Sequence, residues 1–170
     1  MSKILVTGGA GYIGSHTCVE LLDAGYEVVI VDNLSNSQTQ SMARVEEITG
    51  KSMEFCEADI RNRQAMDAII SAHDFGAVIH FAGFKAVGES VEKPLKYFDN
   101  NICGTQVLLE TMQRHSLFNI VFSSSATVYG EPASVPINES FPLTAANPYG
   151  RTKLVIEDML RDLGISDPRW

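Results

Sequence analysis

Three cysteines in 170 residues, Cys18, Cys56 and Cys103, are odd in number and too widely spaced for a disulfide framework, and none forms a C-x-x-C pair of the kind that holds zinc. Buried thiols in a reducing compartment are expected of them. The spacing of His16, His73, His80 and His115 gives no metal ligand set, and His115, near a helix end, suits the helix dipole instead. No Lys/Arg cluster interrupts a formal net charge of -8, which argues against nucleic acid and anionic membrane as partners. No apolar run reaches membrane-spanning length, and Ile4-Leu5-Val6 is too short for a signal peptide. The expectation is a cytoplasmic chain that binds a small molecule. Repeats, low-complexity tracts and linkers are also lacking, and 45% hydrophobic with 20% charged residues over this length suits one domain.

What is present alternates. Short apolar runs at 4–7, 28–32, 53–56, 78–81 and 120–123 read as strands buried on both faces, as in parallel sheets. Helix-period segments at 12–24, 38–48, 63–71, 94–115 and 148–163 separate or follow them. The order βαβαβαβαβα predicts an α/β fold, a doubly wound parallel sheet with helices on both faces. One long irregular segment, 131–147, contains Pro132, Pro136 and Pro142, and a loop of that length usually borders a site.

Between the first strand and first helix stands Val6-Thr7-Gly8-Gly9-Ala10-Gly11-Tyr12-Ile13-Gly14. Gly8 permits a tight turn, Gly11 a close backbone approach to a pyrophosphate, and Gly14 packing of the helix on the sheet, with the helix amino terminus facing phosphate charge. A plain glycine-rich turn is the bland alternative. Asp32 closes the second strand, where a carboxylate accepts hydrogen bonds from a ribose diol; it would also repel a 2′-phosphate, and residues 33–37 contain no arginine. NAD is therefore expected rather than NADP, although aspartate at a strand end also starts ordinary turns.

Two further stretches carry chemistry. In Asn147-Pro148-Tyr149-Gly150-Arg151-Thr152-Lys153 the proline suits a first helical turn, so Tyr149 and Lys153, at i and i+4, share a helix face. An ammonium near a phenol favours the phenolate and makes it a better base, whereas chance pairing on a solvated face is the alternative. In Phe122-Ser123-Ser124-Ser125 three hydroxyls follow the fifth strand at the sheet's carboxyl edge, where doubly wound folds bind ligands; Ser123 reads as an ordinary turn residue.

On VTGGAGYIGSH, VDNLSNS, HFAGFKAVGESVEKPLKYFDNN, FSSSATVYG and NPYGRTK together, the whole chain resembles the nucleotide-sugar 4-epimerases of the extended short-chain dehydrogenase/reductase family, the third of these motifs being the most specific. The resemblance implies a Rossmann-like, NAD-binding domain over residues 1–170, truncated after the fifth strand and the catalytic helix, with a carboxyl-terminal substrate domain expected beyond Trp170. It implies that Gly8, Gly11, Tyr12, Ile13 and Gly14 hold the pyrophosphate, Asp32, Asn33, Asn36 and Ser37 the adenosine ribose and its surroundings, and that Asp59 and Ile60 border the adenine. Phe81, Ala82, Gly83 and Lys85 would line the cofactor with Asn100 close by, an exposed loop lysine being the alternative for Lys85; Asn100 and Asn101, within an otherwise helical segment, suit a polar contact or else only interrupt the helix.

The implied reaction belongs to galactose metabolism: Tyr149 takes the proton of the sugar 4-hydroxyl while hydride passes from C4 to NAD, and hydride returns to the opposite face, interconverting UDP-galactose and UDP-glucose. Ser125 would hold the 4-oxygen with Ser124 as a second contact, and Lys153 the nicotinamide ribose. The family also implies a homodimer for the complete protein. A related dehydratase would carry an acidic pair after the strand-five hydroxyl, where this chain has Ala126-Thr127; epimerases of uronates or N-acetyl sugars, and an NAD-binding module without catalysis, stay open.

Overall fold

A computed structural model describes residues 2–170 and divides the chain into two compact units. The first, up to Ala82 together with Gln106–Ser123, contains the whole sheet. Its five strands, β1 (Lys3–Thr7), β2 (Glu27–Asp32), β3 (Glu54–Glu57), β4 (Phe75–His80) and β5 (Ile120–Phe122), are all parallel in the order β3-β2-β1-β4-β5. This is the Rossmann-like, doubly wound arrangement, with the strand order reversing between β1 and β4. Helices α1 (Tyr12–Asp23), α2 (Gln40–Thr49) and α3 (Arg63–Ser71) connect successive strands.

The pleat sends alternate residues to opposite faces. Ile4, Val6, Val28 and Ile30 form one buried cluster with Cys18 and Leu22 of α1 and Met42 and Val45 of α2. At the intervening positions Leu5, Val29 and Val31 are equally buried, as are Met66 and Ile70 of α3. Burial on both faces holds for the inner strands only. Glu54 and Glu57 of β3 and Val121 of β5 are exposed, because these strands are the sheet edges.

The second unit, Gly83–Thr105 with Ser124–Trp170, is built from helices. It holds α4 (Val87–Glu92), α5 (Pro94–Tyr97), a π-helical turn (Phe98–Cys103), a 3₁₀ turn (Ala126–Tyr129) and α7 (Pro148–Ser166). Helix α6 (Gly104–Arg114) begins at its boundary. The single helix expected over 94–115 is thus three segments, since the π-turn widens the backbone and buries both Asn100 and Asn101. Helix α4 was not expected; six residues with no side-chain cap leave little periodic signal.

Two other expectations are corrected. Of the three cysteines only Cys18 is buried, whereas Cys56 is half-buried on an edge strand and Cys103 is exposed. β4 starts at Phe75, not 78, because Lys3 pairs with Phe75 across an irregular step in register. Among the described residues no helix is long and apolar enough to cross a membrane.

Candidate active site

In the first unit the carboxyl ends of the strands gather the glycine turn, Asp32-Asn33, Asp59-Ile60 and Phe81-Ala82 along one edge. Gly8 has a φ of +72° and stands so close to the Phe81-Ala82 backbone that a Cβ would lie 2.5 Å from the Ala82 nitrogen. A Cβ on Gly14 would lie 2.3 Å from the Gly8 carbonyl oxygen, so Gly14 lets α1 approach the glycine turn at the end of β1. Gly9, given no role in the sequence, supplies the sheet contact: its Cβ would meet the Ile30 side chain at 2.8 Å. Gly11 is the N-cap of α1 and offers no side chain to the first-turn amides. These amides, beside exposed Tyr12 and Ile13, and the tight turn fit a pyrophosphate.

Asp32 is buried, and its carboxylate is well occupied. Oδ2 accepts the Ala10 N–H (3.1 Å), and Oδ1 accepts the Leu34 N–H (2.9 Å) and the Ser37 hydroxyl (2.8 Å). A carboxylate offers about four acceptor positions, so room remains for a ribose hydroxyl. Ser37 is therefore turned toward Asp32, while Asn36 is exposed. The bond to Leu34 holds that residue at a φ of +54°, a conformation leucine rarely adopts and no sequence signal announces.

Asp59 lies at the same edge. Arg61 grips it through Nε (2.9 Å) and Nη2 (2.7 Å), and Asn33 Nδ2 donates to it at 3.0 Å. The Arg61 guanidinium holds the Asp59 carboxyl far below the usual carboxylate range. Residues 33–37 indeed lack arginine, but Arg61 stands one side chain away and is committed to Asp59. Ile60 is buried. Among the described residues no group of three His, Cys, Asp or Glu side chains could hold a metal, and His80 bonds Thr7 instead (2.6 Å).

The second unit carries the phenol, the ammonium and the hydroxyls. Asn147 caps α7 by accepting the Gly150 N–H (2.8 Å), Pro148 occupies the first turn, and the Tyr149 N–H donates to Ser90 Oγ (3.2 Å). Gly150 is required because a Cβ would lie 2.8 Å from the Thr127 carbonyl oxygen. Tyr149 and Lys153 are 7% and 2% exposed, which removes the solvated-face alternative. Burial, with the nearby Lys85 ammonium adding to it, lowers the Lys153 pKa to about 8. The Lys85 side chain is exposed, yet partial loss of hydration beside the protein lowers its pKa.

Asn101 is a hub of polar contacts, as an asparagine within a helical segment allows. Its Oδ1 accepts from the Phe84 N–H (2.9 Å) and Asn100 Nδ2 (2.9 Å); its Nδ2 donates to the Phe84 carbonyl (3.0 Å) and Thr152 Oγ1 (3.0 Å). Every capacity of this buried amide is filled, which ties the Gly83–Lys85 segment to the helix of Lys153. Asn100, expected beside the cofactor, spends one donor on this network.

Ser125 accepts from the Thr127 N–H (3.3 Å) and hydroxyl (2.9 Å), so its own O–H remains to be donated. Ser124 donates its hydroxyl to Glu157. Beyond them Gly130, at a φ of +62°, lies against Thr144, whose N–H bonds the Val128 carbonyl (2.9 Å) and folds the 131–147 segment back onto the 3₁₀ turn. A buried phenol, a partly desolvated ammonium four residues on and a hydroxyl with a free proton can take up, hold and return a proton on an alcohol.

The chain is similar to proteins of known name. A UDP-glucose 4-epimerase of Bacillus subtilis (strain 168) is 60% identical over 167 residues, covering 98% of this chain and 49% of that protein. A crystal structure of UDP-glucose 4-epimerase from Bifidobacterium longum in complex with NAD+ and UDP superposes with a TM-score of 0.97 at 49% identity, covering 99% of this chain and 51% of that one. The UDP-Glc/GlcNAc 4-epimerase of Campylobacter jejuni gives a TM-score of 0.94 at 39% identity over 99% of this chain and 51% of its own. The chain spans about half the length of the curated relatives it matches. Residues 5–167 match the model of the family described as GDP-mannose 4,6 dehydratase, and the chain belongs to that family.

Proposed function

We propose that this sequence supplies the NAD-binding and acid/base part of a UDP-glucose 4-epimerase, interconverting UDP-galactose and UDP-glucose. The observation that carries the reading is the buried pair Tyr149 and Lys153 on α7, in a chain 60% identical to such an enzyme. Gly8, Gly11, Tyr12, Ile13 and Gly14 would hold the pyrophosphate, and Asp32, with Asn33, Asn36 and Ser37 around it, the adenosine ribose. Asp59 and Ile60 would border the adenine, with Phe81, Ala82, Gly83, Lys85 and Asn100 further along the cofactor. Two features of the structure support the fit: a Cβ at Gly8 or Gly14 would clash with backbone, and no side chain caps α1.

When bound, NAD supplies a reversible hydride acceptor for the sugar C4. Tyr149 takes the 4-hydroxyl proton and later returns it, Ser125 donates its free O–H to the 4-oxygen as charge develops, and Lys153 binds the nicotinamide ribose. Ser124, its proton committed to Glu157, can meet substrate only as an acceptor. The absence of an acidic pair after Ser125 favours epimerisation over the dehydration for which the family model is described. The likeness to the Campylobacter jejuni enzyme favours a second reading in which UDP-N-acetyl sugars are also accepted.

Joining this chain to the carboxyl-terminal half of the Bacillus subtilis relative tests the reading. The chimera should convert UDP-galactose, and Tyr149→Phe should lower turnover by roughly two to four orders of magnitude with NAD still bound. Turnover within threefold of the parent, with the phenol gone, would remove Tyr149 from the role.

A further inference from the structure

We propose that Ser90 is a positioning residue for Tyr149, setting the first turn of α7 from the neighbouring helix α4. The proposal rests on the reading of Tyr149 as the acid/base group.

The first turn of a helix leaves its amides without intrahelical partners, and each must be satisfied when buried. In α7 the Gly150 N–H goes to Asn147 and Pro148 has none to satisfy, which leaves Tyr149. Its N–H, buried with the side chain, goes to a hydroxyl 59 residues away in sequence, that of Ser90. Ser90 is fully buried, and its own proton is fixed on the Val87 carbonyl at 2.6 Å. With its proton fixed there, the oxygen presents a lone pair to Tyr149. Helix α4 is itself anchored, since Glu89 accepts from Tyr97 (3.0 Å) and Lys96 (2.8 Å) of α5. The backbone of Tyr149 is thereby tied at its own amide to a helix that Glu89 anchors to α5, and Lys153 follows one turn later on the same buried face. A serine in AVGESVE has no visible signature of this role, because its partner lies in a distant helix.

The test is amide exchange on the intact chain with Ser90→Ala, Ser90→Cys and Ser90→Thr, together with NMR titration of the Lys153 Cε resonance. Ser90→Ala should speed exchange at Tyr149 by roughly tenfold to hundredfold, while Gly150, held by Asn147, stays protected. The Lys153 midpoint, about 8 and facing Lys85, should rise by about half a unit or more as water enters beside α7. Ser90→Thr, which keeps the hydroxyl, should restore both values. If Ser90→Ala does not fold, Ser90→Cys, nearly equal in volume and a weak acceptor, gives the same comparison. Exchange at Tyr149 within twofold of the parent would overturn the proposal. So would equal loosening of Tyr149 and Gly150 with the Lys153 midpoint unmoved. Neither readout uses turnover, so failure here is distinct from failure of Tyr149→Phe in the chimera.

Discussion

Lys153 is a cation held almost out of water, and the consequence can be measured without any ligand. Burial penalises its charged form, so in the folded chain it releases its proton near pH 8, whereas an unfolded lysine keeps it to about 10.5. Between these values the unfolded chain binds more protons, and stability rises with pH; below 8 the full penalty stands. Lys153→Met should therefore stabilise the ligand-free chain at pH 7 by about 1 to 3 kcal/mol, and the gain should vanish above pH 10.5. Urea unfolding at pH 7 and at pH 10.5 checks this, and a gain that does not depend on pH would contradict it. Residues whose role is local were legible in the sequence: the Gly8 turn, Asp32 closing β2, Pro148 opening α7. Gly9 and Leu34 were not, and neither was the Thr152 partner of Asn101, because each depends on a partner distant in sequence or on a backbone angle its side chain does not advertise.

Among the elements, α4 and α5 are short and have little intrinsic helicity, so side-chain bonds must hold them. Glu89 is the centre: Lys96, Tyr97 and Lys93 all donate to it, and the Lys96 bond, followed by that from Tyr97, lowers its pKa to about 2. The same contact, after burial, raises the Tyr97 phenol to about 12. Since the folded pKa lies below the unfolded 4.5, the stabilisation from Glu89 is present above pH 4.5 and is lost as pH falls toward 2. Amides of α4 and α5 should lose exchange protection over that window, and Glu89→Gln should flatten the dependence at a lower plateau. Equal pH dependence in both proteins would refute the role given to Glu89. The sheet and its helices were readable from periodicity because burial repeats along each element. The break of the expected 94–115 helix was not, since the π-turn is fixed by what Asn100 and Asn101 bond.

At the scale of the whole molecule, the glycine turn and Asp32 belong to one compact unit and Ser125, Tyr149 and Lys153 to the other. The chain spans about half the length of the curated relatives it matches. Substrate turnover therefore tests more than this sequence, while cofactor binding tests this sequence alone. The most direct measurement is calorimetric titration of the intact chain with NAD and with NADP, repeated for Asp32→Ala. Weak but measurable NAD binding is expected, preferred over NADP by about tenfold or more through repulsion between the Asp32 carboxylate and the 2′-phosphate. In Asp32→Ala, NAD should bind more weakly and the preference should narrow. No heat with NAD, or the same preference with and without the Asp32 carboxylate, would contradict it.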